Sequence, residues 1–422
     1  MSDISINPLK RQTQESESRY DQWCRRTLFK ILKKLTRARL VIEDSTGIYE
    51  FGCGVSEQSL QASIHIHDAR CYRQILFGGS IGAGEAYMEN RWTTPCLVSV
   101  IQVMARNIQL TNSMDRGWSW LSRGVNKCLH AFNANSLTGS RKNIAAHYDL
   151  GNDFFSLFLD PTLMYSAAIY PSEDADLDTA ALHKLESVCQ KLQLTEEDHL
   201  LEIGTGWGGM AIYAAKHYGC NVTTTTLSQQ QYDFAKQAVI REGLEDQVTL
   251  LLKDYRELEG RFDKLVSIEM IEAVGHEYYD TYFKKCASLL MPDGLMLIQA
   301  ITIADQRYHS ARSSVDFIQK YIFPGGGLPS NEVIASGLRR CTDMTMVDLH
   351  DIGWDYARTL HHWRERFQQK LDAVREQGFD DVFCRMWDFY LAYCEGGFNE
   401  RVISTVQVVM AKPNAQRLPR RD

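Results

Sequence analysis

The sequence predicts an α/β protein, a doubly wound and mostly parallel sheet joined to a smaller, mainly helical N-terminal domain. Three observations predict it. Short apolar runs alternate with helical stretches between residues 199 and 301, and strands separated by helices imply the crossovers of a parallel sheet. The first run enters a glycine-rich turn that opens a helix, Leu201-Glu-Ile-Gly-Thr-Gly-Trp-Gly-Gly209. Residues 110–143 are polar and broken by Gly, Ser and Asn, the texture of a linker between two domains.

Taken in order, the polar residues up to about Trp23 are expected to fray. Residues 25–39 come next. Leu28, Ile31, Leu32 and Leu35 repeat at helical spacing, and Arg25, Arg26, Lys30, Lys33, Lys34, Arg37 and Arg39 cover much of the rest. A basic amphipathic helix of this kind either meets an anionic lipid surface or packs on its own domain with a solvated basic face. The boundary is placed near residue 130, with one domain over 1–130 and a second over 131–412. In the second, strands are expected at 199–204, 221–226, 248–252, 264–268 and 295–301, with helices at 208–217, 229–242 and 278–290. The flanking segments 147–170 and 308–397 are expected to be helical or irregular. Their aromatic content suits a substrate pocket.

Composition narrows the function. With 422 residues, 44% hydrophobic and 23% charged, the chain supports two globular domains. A net charge of -7 argues against general nucleic-acid binding. No run of 18 apolar residues is present, so no transmembrane span is expected. The 11 cysteines include no CxxC pair. With no signal peptide in view, a reduced, cytoplasmic protein is expected. His147, His361 and His362 lack partners at ligand spacing, and no metal site is expected.

The glycine-rich turn carries the strongest chemistry. Glycines allow a tight turn and a close approach of backbone to ligand. The pattern also fits NAD or FAD. Two features favour S-adenosylmethionine. Glu202 places a carboxylate at the strand end, beside a loop that would face a sulfonium. The spacing GxGxGG also suits a dinucleotide pyrophosphate less well than GxGxxG does. The next strand ends in Thr223-Thr-Thr-Thr226 with no acid for a ribose, and glutamines 229–231 follow as substitutes. After the third strand, Asp254 and Tyr255 offer an acceptor and a stacking ring for adenine.

Several segments, in order, resemble the cyclopropane fatty acid synthases: Asn143-Ile-Ala-Ala-His-Tyr-Asp-Leu-Gly-Asn-Asp-Phe-Phe155, Met164-Tyr-Ser-Ala-Ala168, the glycine-rich turn, Glu269-Met-Ile-Glu-Ala-Val-Gly275, Lys320-Tyr-Ile-Phe-Pro-Gly325 and Trp387–Phe398. The resemblance covers about 140–412, and residues 79–88 are similar to the family's N-terminal extension. It implies a Rossmann-like class I methyltransferase fold with a seven-stranded sheet and a lipid- or membrane-associated N-terminal domain. It also implies methyl transfer from S-adenosylmethionine to unsaturated phospholipid acyl chains. The implied cofactor set is Tyr165, Ser166, Glu202, Gly204, Thr205, Gly206, Thr226, Gln231, Asp254 and Tyr255. The family binds a bicarbonate ion beside the reacting carbon. Glu272 and Tyr356 match two of its ligands, and Ile301 matches a backbone contact. Ala167 stands where a cysteine is usual and Gln299 where a histidine is usual. These departures resemble a plant-like branch. Peripheral attachment to the inner face of the membrane and a homodimer are further implications.

The chemistry makes demands of its own. Attack of an alkene on the sulfonium methyl leaves a carbocation, so the site must be dry and aromatic. Phe154, Phe155, Tyr170, Phe317, Tyr321, Trp354 and Tyr356 are candidate rings. Proton loss from the new methyl closes a cyclopropane; loss from a neighbouring carbon gives a methyl- or methylene-branched chain. Held by Glu272 and Tyr356, bicarbonate would take that proton. Rival readings are a methyltransferase for a diffusible small molecule and a catalytically silent lipid-binding protein.

Overall fold

The computed structural model of the protein describes residues 18–52, 59–109 and 150–416. The expected linker at 110–143, the boundary near 130 and His147 lie outside the described residues.

The N-terminal unit opens with α1 (Arg19–Leu32), where the Ser18 hydroxyl accepts from the Asp21 N–H. Strands β1 (Arg39–Asp44), β2 (Gly47–Phe51) and β3 (Gln61–Ile66) follow, then α2 (Arg70–Met88), β4 (Trp92–Thr93) and α3 (Leu97–Arg106). Helices outweigh strands here, but the four strands form a sheet in the order β2-β1-β3-β4 that the sequence reading did not anticipate. Burial alternates along β3, with Ala62, Ile64 and Ile66 inward. The helix expected over 25–39 stops at Leu32, and β1 begins at Arg39. Its apolar stripe serves its own unit: Leu28, Leu32 and Leu35 belong to the core, and Arg25 pairs with Asp44 at 3.2 Å. Arg26, Lys30, Lys33, Lys34 and Arg37 face solvent.

The larger unit contains α4 (Asn152–Ser156), α5 (Leu177–Leu192), β5 (His199–Ile203), α6 (Gly209–Tyr218), β6 (Asn221–Thr225), α7 (Gln229–Glu242), β7 (Val248–Leu251) and β8 (Phe262–Ile268). It continues through α8 (Tyr279–Leu289), β9 (Leu290–Ile303), α9 (Asp305–Arg312), α10 (Phe317–Tyr321), α11 (Asn331–Cys341) and β10 (Thr345–Asp351). The chain closes with α12 (Gly353–Gln369), α13 (Leu371–Glu376), α14 (Asp381–Asn399) and β11 (Ile403–Ala411). Seven strands run in the order β10-β11-β9-β8-β5-β6-β7. From β9 to β7 they are parallel, and β11 runs antiparallel to both neighbours. Strand β10 interrupts the segment 308–397 that the sequence reading took as helical or irregular. It is a sheet-edge strand with no fully buried residue, so it lacks the apolar run that marked the others.

The order places the site. From β5 the chain steps outward to β6 and β7, then returns to the other side of β5 for β8 and β9. The turn after β5 therefore lies at the topological switch point, where open α/β sheets take ligands. The N-terminal unit packs on α14. A Cβ on Gly84 of α2 would lie 2.6 Å from the Phe317 ring, and one on Gly396 would lie 2.7 Å from Ile101, so both contacts require glycine. Tyr87 seals the joint by donating to Asp388 at 2.8 Å.

Candidate active site

A cavity of about 890 Å³ starts at the glycine-rich turn, passes Glu269, Glu272 and Tyr356, and continues between the two units to Leu28, Ile42, Ile64 and Trp92 of the N-terminal sheet and helices. Apolar groups dominate its N-terminal part, and polar groups gather near the switch point.

The turn itself has left-handed glycines at Gly204 (φ 108°) and Gly206 (φ 51°), a conformation that side chains resist. The Gly204 and Thr205 N–H groups both donate to the Thr225 carbonyl at 3.0 Å. The Glu202 carboxylate is buried and accepts from Thr224 at 2.6 Å, and Thr224 also meets Thr205 at 2.7 Å. Thr226 donates to Gln231 at 2.8 Å, fixing that amide at the start of α7. Opposite the turn, the Asp160 carboxylate accepts from the Thr162 N–H at 2.8 Å and the Met164 N–H at 3.1 Å. This shapes the loop that carries Tyr165 and Ser166. The Tyr165 hydroxyl meets that of Tyr390 at 2.8 Å.

Of the ten expected cofactor residues, Tyr165, Ser166, Glu202, Gly204, Thr205, Gly206, Thr226, Gln231 and Tyr255 line the cavity. Asp254 does not. Its carboxylate forms a two-point pair with Arg256, at 2.8 and 2.7 Å, and caps the short turn over 255–257.

The expected catalytic residues come together, but around a group the sequence reading passed over. Glu269 sits just past the end of β8 with φ 48°, an uncommon backbone state for a side chain with a Cβ. Its Oε1 accepts from the Ala167 N–H at 2.9 Å and the Gln299 amide at 2.8 Å, and its Oε2 accepts from the Tyr356 hydroxyl at 2.8 Å. Glu272 binds the Ile301 N–H through Oε1, while its Oε2 is buried without a partner. Lys184, missed as well, is fully buried and donates to Ser166 at 2.9 Å.

The electrostatics separate the two carboxyl groups. Burial and the neighbouring Glu269 push Glu272 up to about 8. Burial also raises Glu269, but the Gln299, Ala167 and Tyr356 donors and the Lys184 charge oppose the shift. Donors to the charged form keep Glu269 the more acidic of the pair, so at neutral pH the shared proton rests on Glu272. Burial lowers Lys184 to about 8 against the pull of Glu269, Asp160 and Glu202, and burial raises Glu202 to about 8.

Two expectations are corrected by this arrangement. The donors assigned to bicarbonate, Tyr356 together with Ala167 and Gln299 at the departing positions, already converge on Glu269, and Ile301 is engaged by Glu272. Of that set only the protonated Oε2 of Glu272 is left to donate, and an anion held there would face the Glu269 charge, so bicarbonate fits the residues present poorly. Among the candidate rings only Tyr356 lines the cavity. Phe154, Phe155 and Phe317 are fully buried core, Trp354 is 56% exposed, Tyr321 donates to Glu85 and Tyr170 lies under Arg358. Tyr165, Phe323, Phe389, Tyr390 and Phe398 take their place on the cavity wall.

Fold and site together define a class I S-adenosylmethionine-dependent methyltransferase. Residues 135–408 match the family described as mycolic acid cyclopropane synthetase, and the chain belongs to that cyclopropane synthase family. It is 39% identical over 351 residues to the tuberculostearic acid methyltransferase of Mycobacterium tuberculosis, covering 82% of this chain and 81% of that one. It is 37% identical over 355 residues to the cyclopropane-fatty-acyl-phospholipid synthase of Escherichia coli, covering 84% and 89%. Among solved structures, the mycolic acid cyclopropane synthase CmaA1 in complex with SAH and CTAB superposes with a TM-score of 0.60 at 31% identity, over 64% of this chain and 98% of that one. The cyclopropane synthase MmaA2 of Mycobacterium tuberculosis superposes at 0.61 and 30% identity, over the same shares.

Proposed function

We propose that this protein transfers one carbon from S-adenosylmethionine to the double bond of an unsaturated phospholipid acyl chain and closes a cyclopropane ring. The observation that carries this reading is the single cavity that joins the glycine-rich turn to an apolar interior shared by both units. A long apolar chain lies along such a cavity with its middle at the switch point, and the apolar lining that the N-terminal unit supplies keeps water from a cation.

In this reading the turn at Gly204 and Gly206 holds the methionine end of the cofactor. Tyr165 and Ser166 close over it, Thr226 and Gln231 receive the ribose, and Tyr255 lies against the adenine. The alkene attacks the sulfonium methyl. Electron-rich faces of rings such as Tyr165 and Phe398 stabilise the developing cation. The domain over 1–130 associates with lipid: its interior extends the acyl cavity, and Arg26, Lys30, Lys33, Lys34 and Arg37 form a solvated basic face for an anionic, cytoplasmic membrane surface. This supports peripheral attachment, and no described helix is long and apolar enough to cross a membrane. A homodimer is in keeping with the family resemblance.

A second reading, C-methylation giving a methyl- or methylene-branched chain, is favoured by the similarity to tuberculostearic acid methyltransferase. Expression in a bacterium that makes monounsaturated phospholipids but lacks such an enzyme, followed by gas chromatography and mass spectrometry of its fatty acids, separates the two. A ring in the new chains supports the first reading, and a branch the second.

A further inference from the structure

We infer that the carboxylate of Glu269 is the built-in base of this site, removing the proton from the alkylated acyl chain in the place that the family gives to bicarbonate. The inference rests on the acyl-chain reading above and names the proton acceptor that reading needs.

Geometry carries the argument. A carboxylate has about four lone-pair sites. Three are taken: two on Oε1 by Ala167 and Gln299, one on Oε2 by Tyr356. The second lone pair of Oε2 is left for substrate, and Glu269 lines the cavity beside Glu272 and Tyr356. The three donors serve a further purpose. A loose carboxylate beside a carbocation would form an ester with it. One clamped at both oxygens is a weaker nucleophile and is fixed in direction, so it reaches a hydrogen of the new methyl group rather than the cationic carbon.

The two residues that depart from the bicarbonate pattern, Ala167 and Gln299, act with Glu269 as one unit. Gln299 is a neutral donor and supplies no charge to attract an anion, but it suits a carboxylate already in place. Gln407 donates to the Gln299 carbonyl at 2.9 Å, which turns the Gln299 amide toward Glu269. Ala167 contributes only backbone. Glu272 fails as the base because it holds a proton near neutral pH, as its burial beside Glu269 requires.

The step balances. The alkene π pair forms a bond to the methyl carbon, and the carbon–sulfur pair leaves with S-adenosylhomocysteine. The adjacent carbon becomes cationic. Glu269 takes a proton from the new methyl group, and the released C–H pair closes onto the cation as the third ring bond. The carboxylic acid returns its proton to solvent as product leaves.

The test uses the full chain, methyl-labelled S-adenosylmethionine and vesicles of bacterial phospholipid rich in cis-monounsaturated chains. Turnover is measured in CO2-free buffer and again after addition of bicarbonate, and cofactor affinity is measured by calorimetry. The wild type is expected to run at the same rate in both buffers. Glu269→Gln, which keeps the shape of the group and, through its one amide oxygen, the bonds from Ala167 and Gln299, is expected to bind cofactor normally while turnover falls at least about 100-fold. A wild-type rate that collapses without CO2 and returns with bicarbonate would overturn the inference, as would a Glu269→Gln variant of full activity. The wild-type comparison needs no variant to fold. A wild type that binds cofactor yet labels no acyl chain in either buffer would remove the acyl-chain reading first, and this assignment with it.

Discussion

The hydroxyl of Tyr356 donates to Oε2 of Glu269 at 2.8 Å, joining helix α12 to the turn after β8. The bond stabilises the ionised carboxylate. Its removal by Tyr356→Phe leaves cofactor affinity unchanged and lowers turnover by about 10- to 100-fold, the worth of one hydrogen bond to a charged group. Loss of a donor to the charged form also raises the pKa of Glu269. The acid limb of the variant's pH–rate profile therefore moves to higher pH. An acid limb that stays in place would separate Tyr356 from Glu269.

Gly209 opens helix α6 directly under the loop that carries Tyr165 and Ser166. A Cβ there would stand 2.6 Å from the Thr162 carbonyl and 3.0 Å from the Met164 sulfur. Gly209→Ala must push that loop away from the glycine-rich turn. We expect a loss of about 1–3 kcal/mol in stability and a cofactor dissociation constant at least about tenfold higher, a cost of some 1.4 kcal/mol in binding. Thermal unfolding and calorimetric titration check the two effects separately.

Glu272 gives stability a pH dependence of known sign. Its folded pKa of about 8 lies above the ordinary 4.5, so the folded state holds a proton that the unfolded state releases. The contribution of this group is fully present below 4.5 and is lost as pH rises through about 8. Glu272→Gln fixes the neutral form and keeps an acceptor for the Ile301 N–H. Its melting temperature, relative to wild type, is expected to improve from pH 5 to pH 9. A difference that is flat across that window would show that Glu272 is ionised in the folded protein.

The basic face of α1 and the turn that follows it is predicted to matter for membrane and not for folding. Arg26, Lys30, Lys33 and Lys34 are exposed, whereas the apolar side of the same segment is spent in the core. Replacing the four with glutamate is expected to leave the melting temperature within a few degrees of wild type. Cosedimentation with anionic vesicles should be abolished, since each basic residue near such a surface is worth about 1 kcal/mol. Retained binding would move the lipid contact elsewhere on the protein.

The parts of the fold with strong periodic signals were legible in the sequence. Buried parallel strands such as β5 and β9 are apolar on both faces, and the glycine-rich turn has a required backbone geometry at Gly204 and Gly206. Strand β10 was not legible, because an edge strand needs no apolar run. The N-terminal sheet was hidden by the charge pattern of 25–39, which reads as one helix although the chain turns at Lys33. In the site, Tyr356 and Gln299 were identified by position, but their common partner was not. Glu269 stands in the same motif as Glu272, and only its left-handed backbone brings its side chain among Ala167, Gln299 and Tyr356. A signal did exist: two departures at one anion site, Ala167 and Gln299, call for a third that compensates them. The cavity aromatics were missed for another reason. Spacing along a chain does not distinguish a ring facing the core from one facing a pocket: Phe154 of α4 packs against Trp387 of α14, whereas Phe389 of α14 lines the cavity.

The measurement that tests the central claim most directly is the fate of a labelled methyl group in living cells. The chain is expressed in a bacterium rich in monounsaturated phospholipid and lacking a cyclopropane synthase, and methyl-labelled methionine is supplied. The account predicts labelled phospholipid acyl chains one carbon longer in mass, with the label in a three-membered ring and a matching loss of monounsaturated chains. Unlabelled acyl chains, in cells whose expressed protein binds S-adenosylmethionine after purification, would contradict it.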